Sequence, residues 1–113
     1  MAFTKQYLSG STTGKGIKIA QTATPGTLLH TADATAKDEV WVFVVNSDTT
    51  ARKLTIEFGG VAVPDDLMEV TVPAESGLLC VIPGLVLGNS LVVRAWAATA
   101  NVLVAYGFVN RVS

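Results

Sequence analysis

From residue 17 onward, short apolar stretches recur about every ten residues, separated by Gly, Pro, Asn and Asp. Ile17 and Ile19 alternate with Lys18, which suits a short strand, and Pro25-Gly26 turns the chain into a second strand over residues 28–31. Residues 33–38 are small and polar, a loop. Residues 40–45 are the most apolar: Val40, Val42 and Val44 point one way, and Trp41, Phe43 and Val45 the other. Apolar character on both faces predicts a central strand covered on two sides. Residues 46–51 close it with a turn.

Residues 52–58 alternate cleanly, with Leu54, Ile56 and Phe58 on one face and Lys53, Thr55 and Glu57 on the other. That is the pattern of an antiparallel strand with one wet side. Gly59-Gly60 ends it. After the turn at Pro64-Asp65-Asp66, residues 68–72 alternate again, and residues 73–77 turn the chain into 78–82. Pro83-Gly84 reads as a further turn before the short apolar piece 85–87, which Gly88-Asn89-Ser90 ends. Residues 91–97 form a strand containing Arg94. The last and longest strand, 102–112, contains Gly107, where a bulge or close packing is the usual cause. No capped apolar stripe of helical period runs beyond a turn or two. About eight short strands predict an all-β fold, an antiparallel β-sandwich or jelly roll.

Residues 1–16 differ from the rest. Phe3, Tyr7 and Leu8 precede the tract Ser-Gly-Ser-Thr-Thr-Gly-Lys-Gly at 9–16, which is turn-prone and entropically costly to order. The expected organisation is an extended N-terminal arm and flexible tether over 1–16 and a sandwich domain over 17–113. Such a segment is either a frayed terminus or an arm that docks on a neighbouring subunit through Phe3, Tyr7 and Leu8.

Composition changes this picture in one respect. The 113 residues are 50% hydrophobic but only 15% charged, and mean hydropathy is +0.46. An ordinary soluble domain carries about 25% charged residues. A chain of this mass folds to a surface of roughly 5,900 Å², or about one charge per 350 Å². Either Thr, Ser and Asn keep that surface wet, or other subunits cover part of it, and the sparse charge favours the second. Net charge is −1, pI is about 5.7 and the basic residues are scattered, so nothing predicts a nucleic-acid partner. Residues 1–10 hold no apolar core of signal-peptide length, and no apolar run approaches the ~18 residues of a membrane helix. The expectation is synthesis and folding in a host cytoplasm, with no membrane partner.

Candidate chemistry is thin. His30 is the sole histidine, readable as a general base or as an ordinary strand histidine. Cys80 lies among Leu78, Leu79, Val81 and Ile82, the setting of a buried, inert thiol, and lacks the electropositive neighbours that would activate it. Asp65 and Asp66 are ordinary turn residues without a spaced calcium loop. One His and one Cys do not furnish a metal set, and Gly59-Gly60 and Gly14-Lys15-Gly16 lack the setting of a phosphate loop. Neither an enzyme nor a cofactor is expected. Trp41, Phe43, Trp96 and Tyr106 are the candidate interface anchors, because aromatic side chains dominate binding hot spots. Arg94 and Arg111 are candidates for satisfying carboxylates or carbonyls across a subunit contact, or else lie exposed at strand edges.

The run at 52–60 (RKLTIEFGG), Ile82-Pro83-Gly84-Leu85, the run at 93–101 (VRAWAATAN), the run at 107–111 (GFVNR) and the opening Phe3-Thr4-Lys5-Gln6 together resemble small virion proteins of tailed bacteriophages encoded near the capsid genes. Head decoration, or cement, proteins are the nearest functional match. The resemblance implies a virion protein on the capsid surface, bound to the major capsid protein, commonly as a homotrimer, with an N-terminal arm reaching the lattice. It carries no active-site residues. The alternatives are a neck, tail or fibre component, or a carbohydrate-binding β-sandwich that uses aromatics as a stacking platform.

Overall fold

In a computed structural model that describes residues 2–113, this alternation resolves into nine strands and no helix. They are β1 (Phe3–Tyr7), β2 (Ile17–Lys18), β3 (Thr27–Thr31), β4 (Lys37–Asn46), β5 (Arg52–Phe58), β6 (Leu67–Val72), β7 (Ser76–Leu87), β8 (Val92–Ala97) and β9 (Leu103–Val112). Two antiparallel sheets pack face to face. The five-stranded sheet runs β1-β9-β4-β7, with β2 also on β9, and the four-stranded sheet runs β3-β8-β5-β6. The expected antiparallel sandwich is therefore the observed architecture.

The core forms where the inward halves of the alternating strands meet. Val40, Val42 and Val44 of β4, with Leu103, Ala105 and Val109 of β9, are buried together with Leu54 and Ile56 of β5 and Val93, Ala95 and Ala97 of β8. Burying each Val, Leu or Ile contributes about 1.5–3 kcal/mol. Gly107 belongs to the inward series of β9, and a Cβ there would collide with the Trp41 carbonyl of β4. Close packing, one of the two causes expected for it, is what requires glycine.

Several local expectations change. Within the expected arm, residues 2–16 do not stand away from the sandwich; Met1 lies outside the described residues. β1 pairs along β9 from Phe3↔Val112 to Tyr7↔Phe108, and Leu8 enters the core at 1% exposure. The tract at 9–16 is fastened as well: Gly10 N–H donates to the Leu29 carbonyl, and Ser9 Oγ accepts the Thr31 N–H. Each ordered bond offsets part of the entropy that had argued for a tether.

Pro83-Gly84 does not end a strand. β7 continues from Ser76 to Leu87 along the outer edge of its sheet, where a residue without N–H is tolerated, and its pairing with β4 shifts register at three places. At this bulged edge Cys80 is exposed rather than buried. β4 is central, flanked by β9 and β7, but only its inward face is sealed; Trp41, Phe43 and Val45 are half-buried on the outside. In β5 the outward Thr55 and Glu57 are buried, not wet. The turn before β3 reaches them: Gly26 N–H donates to Glu57 Oε1 at 2.7 Å, and Arg94 donates to the Gly26 carbonyl at 3.2 Å.

Candidate functional site: the outer face of the five-stranded sheet

Strand register arranges the outward side chains of this sheet in rows. Tyr7 of β1 lies beside Phe108 of β9, Phe108 beside Trp41 of β4, and Trp41 beside Pro83 of β7. The next row sets Tyr106, Phe43 and Cys80 side by side, and the row after that pairs Val104 with Val45. Directly opposed side chains on antiparallel strands come within contact distance, so the rows form one continuous surface. The Trp41 and Phe108 rings lie 6.1 Å apart and within 10° of parallel. Lys5, diagonal to Phe108, holds its Nζ 4.9 Å over that ring, a cation–π contact.

Two glycines give the rings room. Gly84 has φ +81°, a conformation L side chains rarely adopt, and a Cβ there would lie 2.8 Å from the Trp41 indole. A Cβ on Gly16 would lie 2.8 Å from Tyr106. At one end of the face Glu39 Oε1 accepts from Trp41 Nε1 at 2.7 Å and from Asn110 Nδ2 at 3.0 Å. Those two hydrogen bonds, Trp41's first, hold the Glu39 carboxyl below its usual range. Beside β1, a recess of about 490 Å³ is lined by Lys5, Gln6, Tyr7, Gly14, Gly107 and Phe108.

Of the side chains singled out in the sequence, Phe3, Tyr7, Trp41, Phe43 and Tyr106 gather on this face. Phe3 is 74% exposed at its corner. The other four do not join them. Leu8 is a core residue. Trp96 sits on the opposite sheet's outer side with Nε1 buried and unpartnered. Arg94 is engaged by Gly26 within its own chain, and Arg111 by Asp38. Arg111 is thus committed to carboxylates of its own chain, while Arg94 uses one of its N–H donors on Gly26.

Arg111 belongs to a polar cluster that sequence reasoning missed. A register shift between Leu28 and His30 turns both Leu29 and His30 inward, and His30 Nε2 lies 2.7 Å from Asp38 Oδ2 with the pair 1% and 0% exposed. The Ser9 N–H donates to His30 Nδ1 at 3.0 Å, so the ring proton resides on Nε2 and points at Asp38. Arg111 grips the same carboxylate with Nε at 2.8 Å and a second nitrogen at 3.1 Å. Burial pushes the Asp38 carboxyl up, but the Arg111 and His30 hydrogen bonds and the Asp33 N–H outweigh it and hold the carboxyl below its usual range. This cluster ties β3 of one sheet to β4 and β9 of the other. A substrate has no access to it.

Asn46 does the equivalent at the opposite end, its Nδ2 donating to the Thr50, Val72 and Pro73 carbonyls. Among the described residues no group of three His, Cys, Asp or Glu side chains is placed to hold a metal. The outer face of the five-stranded sheet offers apolar and aromatic area, with Trp41 and Phe43 half-buried and Tyr106 exposed. Comparison of the chain with protein-family models, with curated proteins and with solved structures gives no match.

Proposed function

We propose that this chain is a non-enzymatic structural protein of a tailed-phage particle, one that decorates and stabilises the head through oligomeric contacts with its own copies and with the major capsid protein. The observation that carries the reading is the outer face of the five-stranded sheet. An antiparallel sheet with one face to water normally alternates apolar-in and polar-out. Here Trp41, Phe43, Val45, Val104, Tyr106 and Phe108 point out instead. Such a patch, with a polar margin, is the mark of a surface made for a protein neighbour. Each square ångström it buries contributes about 25 cal/mol before ordering and desolvation costs. Repetition over a lattice adds avidity, so individual contacts need only be modest.

A carbohydrate platform would need open ring faces. Phe108 is flanked by Trp41 on one side and by Lys5 on the other, so the central ring is already occupied. The test is to purify particles of the phage that encodes the chain, count copies per particle and locate them by cryo-microscopy. Hundreds of copies on the head lattice are expected. A dozen or fewer would move the protein to a neck or tail ring, and its absence from particles would end the proposal.

A further inference from the structure

Ion pairing among the described residues leaves several charges over, and two groups of them lie on different sheets. Among the described residues Arg52 pairs with Asp48, Lys53 with Glu69, and Arg111 with Asp33 and Asp38. Lys5, Lys15, Lys18 and Lys37 have no carboxylate partner. All four belong to the five-stranded sheet or the loop between β1 and β2: Lys5 stands opposite Asn110, Lys37 opposite Val112 and Lys18 opposite Val104, and Lys15 precedes the glycine under Tyr106. The one acid on that face, Glu39, is already engaged by Trp41 and Asn110.

Of the other acids without an ion pair, Glu57 is buried against Gly26 and Glu75 stands alone in the turn between β6 and β7, while two lie together on the loop between β5 and β6. Asp65 and Asp66 make no ion pair; Asp66 Oδ2 accepts the Ala62 N–H and so stiffens the loop. The same loop exposes Val61 and, at 77%, Val63, the most exposed of the large apolar side chains in the described residues. One molecule thus bears a recess edged by Lys5 and, on its other sheet, an apolar knuckle that carries two carboxylates.

We infer that the β5–β6 loop of one copy docks in the Lys5–Tyr7–Phe108 recess of the next, with Val63 and Pro64 against Tyr7 and Asp65 against Lys5. The inference deepens the reading of this face as a protein-docking surface and rests on it. A recess of about 490 Å³ lies inside the ~300–1,000 Å³ span of sites that enclose small ligands, ample for two small side chains. Donor loop and acceptor recess belong to different sheets, so each copy gives and receives at once. A contact of that kind is head-to-tail: it closes into a ring when the rotation allows and otherwise continues as a chain. Apolar fill supplies the affinity, and the opposed charges choose the orientation.

Sedimentation of the full-length chain from micromolar to millimolar concentration tests this without any phage component. Concentration-dependent association that weakens with added salt is expected. Val63→Asp and Lys5→Glu are each expected to weaken association about tenfold or more, while Asp65→Lys restores part of what Lys5→Glu loses. All three positions are exposed, and near-ultraviolet circular dichroism checks that the variants keep the fold. A wild-type chain that stays monomeric overturns the inference, as does an oligomer indifferent to Val63→Asp and Lys5→Glu. If that oligomer still falls apart with Phe43→Thr, the loop is wrong and the docking face stands; if it ignores Phe43→Thr too, both fall. A monomer that shifts only with oligothymidylate makes the partner a nucleic acid and equally overturns the pairing.

Discussion

The two outer faces of the sandwich solve the same problem in opposite ways. On the four-stranded sheet, the chain covers its own outward groups: Gly26 caps Glu57 and is itself gripped by Arg94, and Lys53 pairs with Glu69 across β5 and β6. On the five-stranded sheet nothing of the chain lies over Trp41, Phe43 and Tyr106, and the surrounding lysines are unpaired. One face is finished within the molecule. The other keeps a broad apolar area open, in keeping with a chain of which only 15% is charged.

That contrast breaks most severely if the frame holding both sheets fails. Asp38→Ala would leave the buried His30 and the Arg111 guanidinium without their shared carboxylate, and removing one member of a buried pair costs about 3–5 kcal/mol. Urea denaturation followed by tryptophan fluorescence reads that loss directly.

Acid probes the same cluster more gently. Asp33, Asp38, Glu39 and Asp48 all sit below their usual values of 3.8 or 4.5: Asp33 through the Ala36 and Thr35 N–H groups, Asp48 through Arg52, Glu39 through Trp41, and Asp38 because Arg111 and His30 outweigh burial. The folded chain therefore binds these protons less readily than the unfolded chain. The stability they contribute is complete above the usual values and drains as pH falls through the lowered ones. Midpoints of thermal unfolding measured across the acid range should fall accordingly, and Asp38→Asn should flatten the fall. An unchanged profile would show that the cluster holds no stability.

The self-covered face is tested by Gly26→Ala, whose new Cβ would lie 2.6 Å from the Ala95 backbone. Lifting the turn off Glu57 should cost about 1–3 kcal/mol. The open face should behave in reverse: Phe43→Thr or Tyr106→Thr is expected to change stability by about 1 kcal/mol or less while abolishing docking. Equal stability losses on the two faces would erase the distinction. Lys53→Ala marks the small end of the scale, since an exposed pair with Glu69 contributes about 0–1 kcal/mol.

How much of this was legible depends on how far apart in sequence the deciding partners lie. Period-two alternation at 40–44 and 54–58 reports inward faces correctly, because burial there follows from the strand itself. The same alternation misreads Thr55 and Glu57, and the partner that meets Glu57 is Gly26, 31 residues earlier in the chain. β1 was not legible as a strand: Thr4, Lys5 and Gln6 carry no apolar signal, and their partners stand at the far end of the chain, Arg111, Asn110 and Val109. His30 could not be placed because a bulge broke the alternation that would have shown its direction, and Asp38 looked like one more loop acid. Of the docking face, the outward row 41, 43, 45 was visible in the sequence, as was its mate 104, 106, 108. What joins them is the antiparallel register between β4 and β9, and no local pattern encodes that.

Proline at position 83 acquires a second meaning beside those rows. A long unpaired strand border invites any passing strand to extend the ladder, and sticky proteins held at high density are the most exposed to runaway fibre growth. β7 is such a border, yet Pro83 removes a donor from its middle and three irregularities kink its course. The molecule can therefore leave apolar side chains open on one face while its backbone refuses to template a fibre.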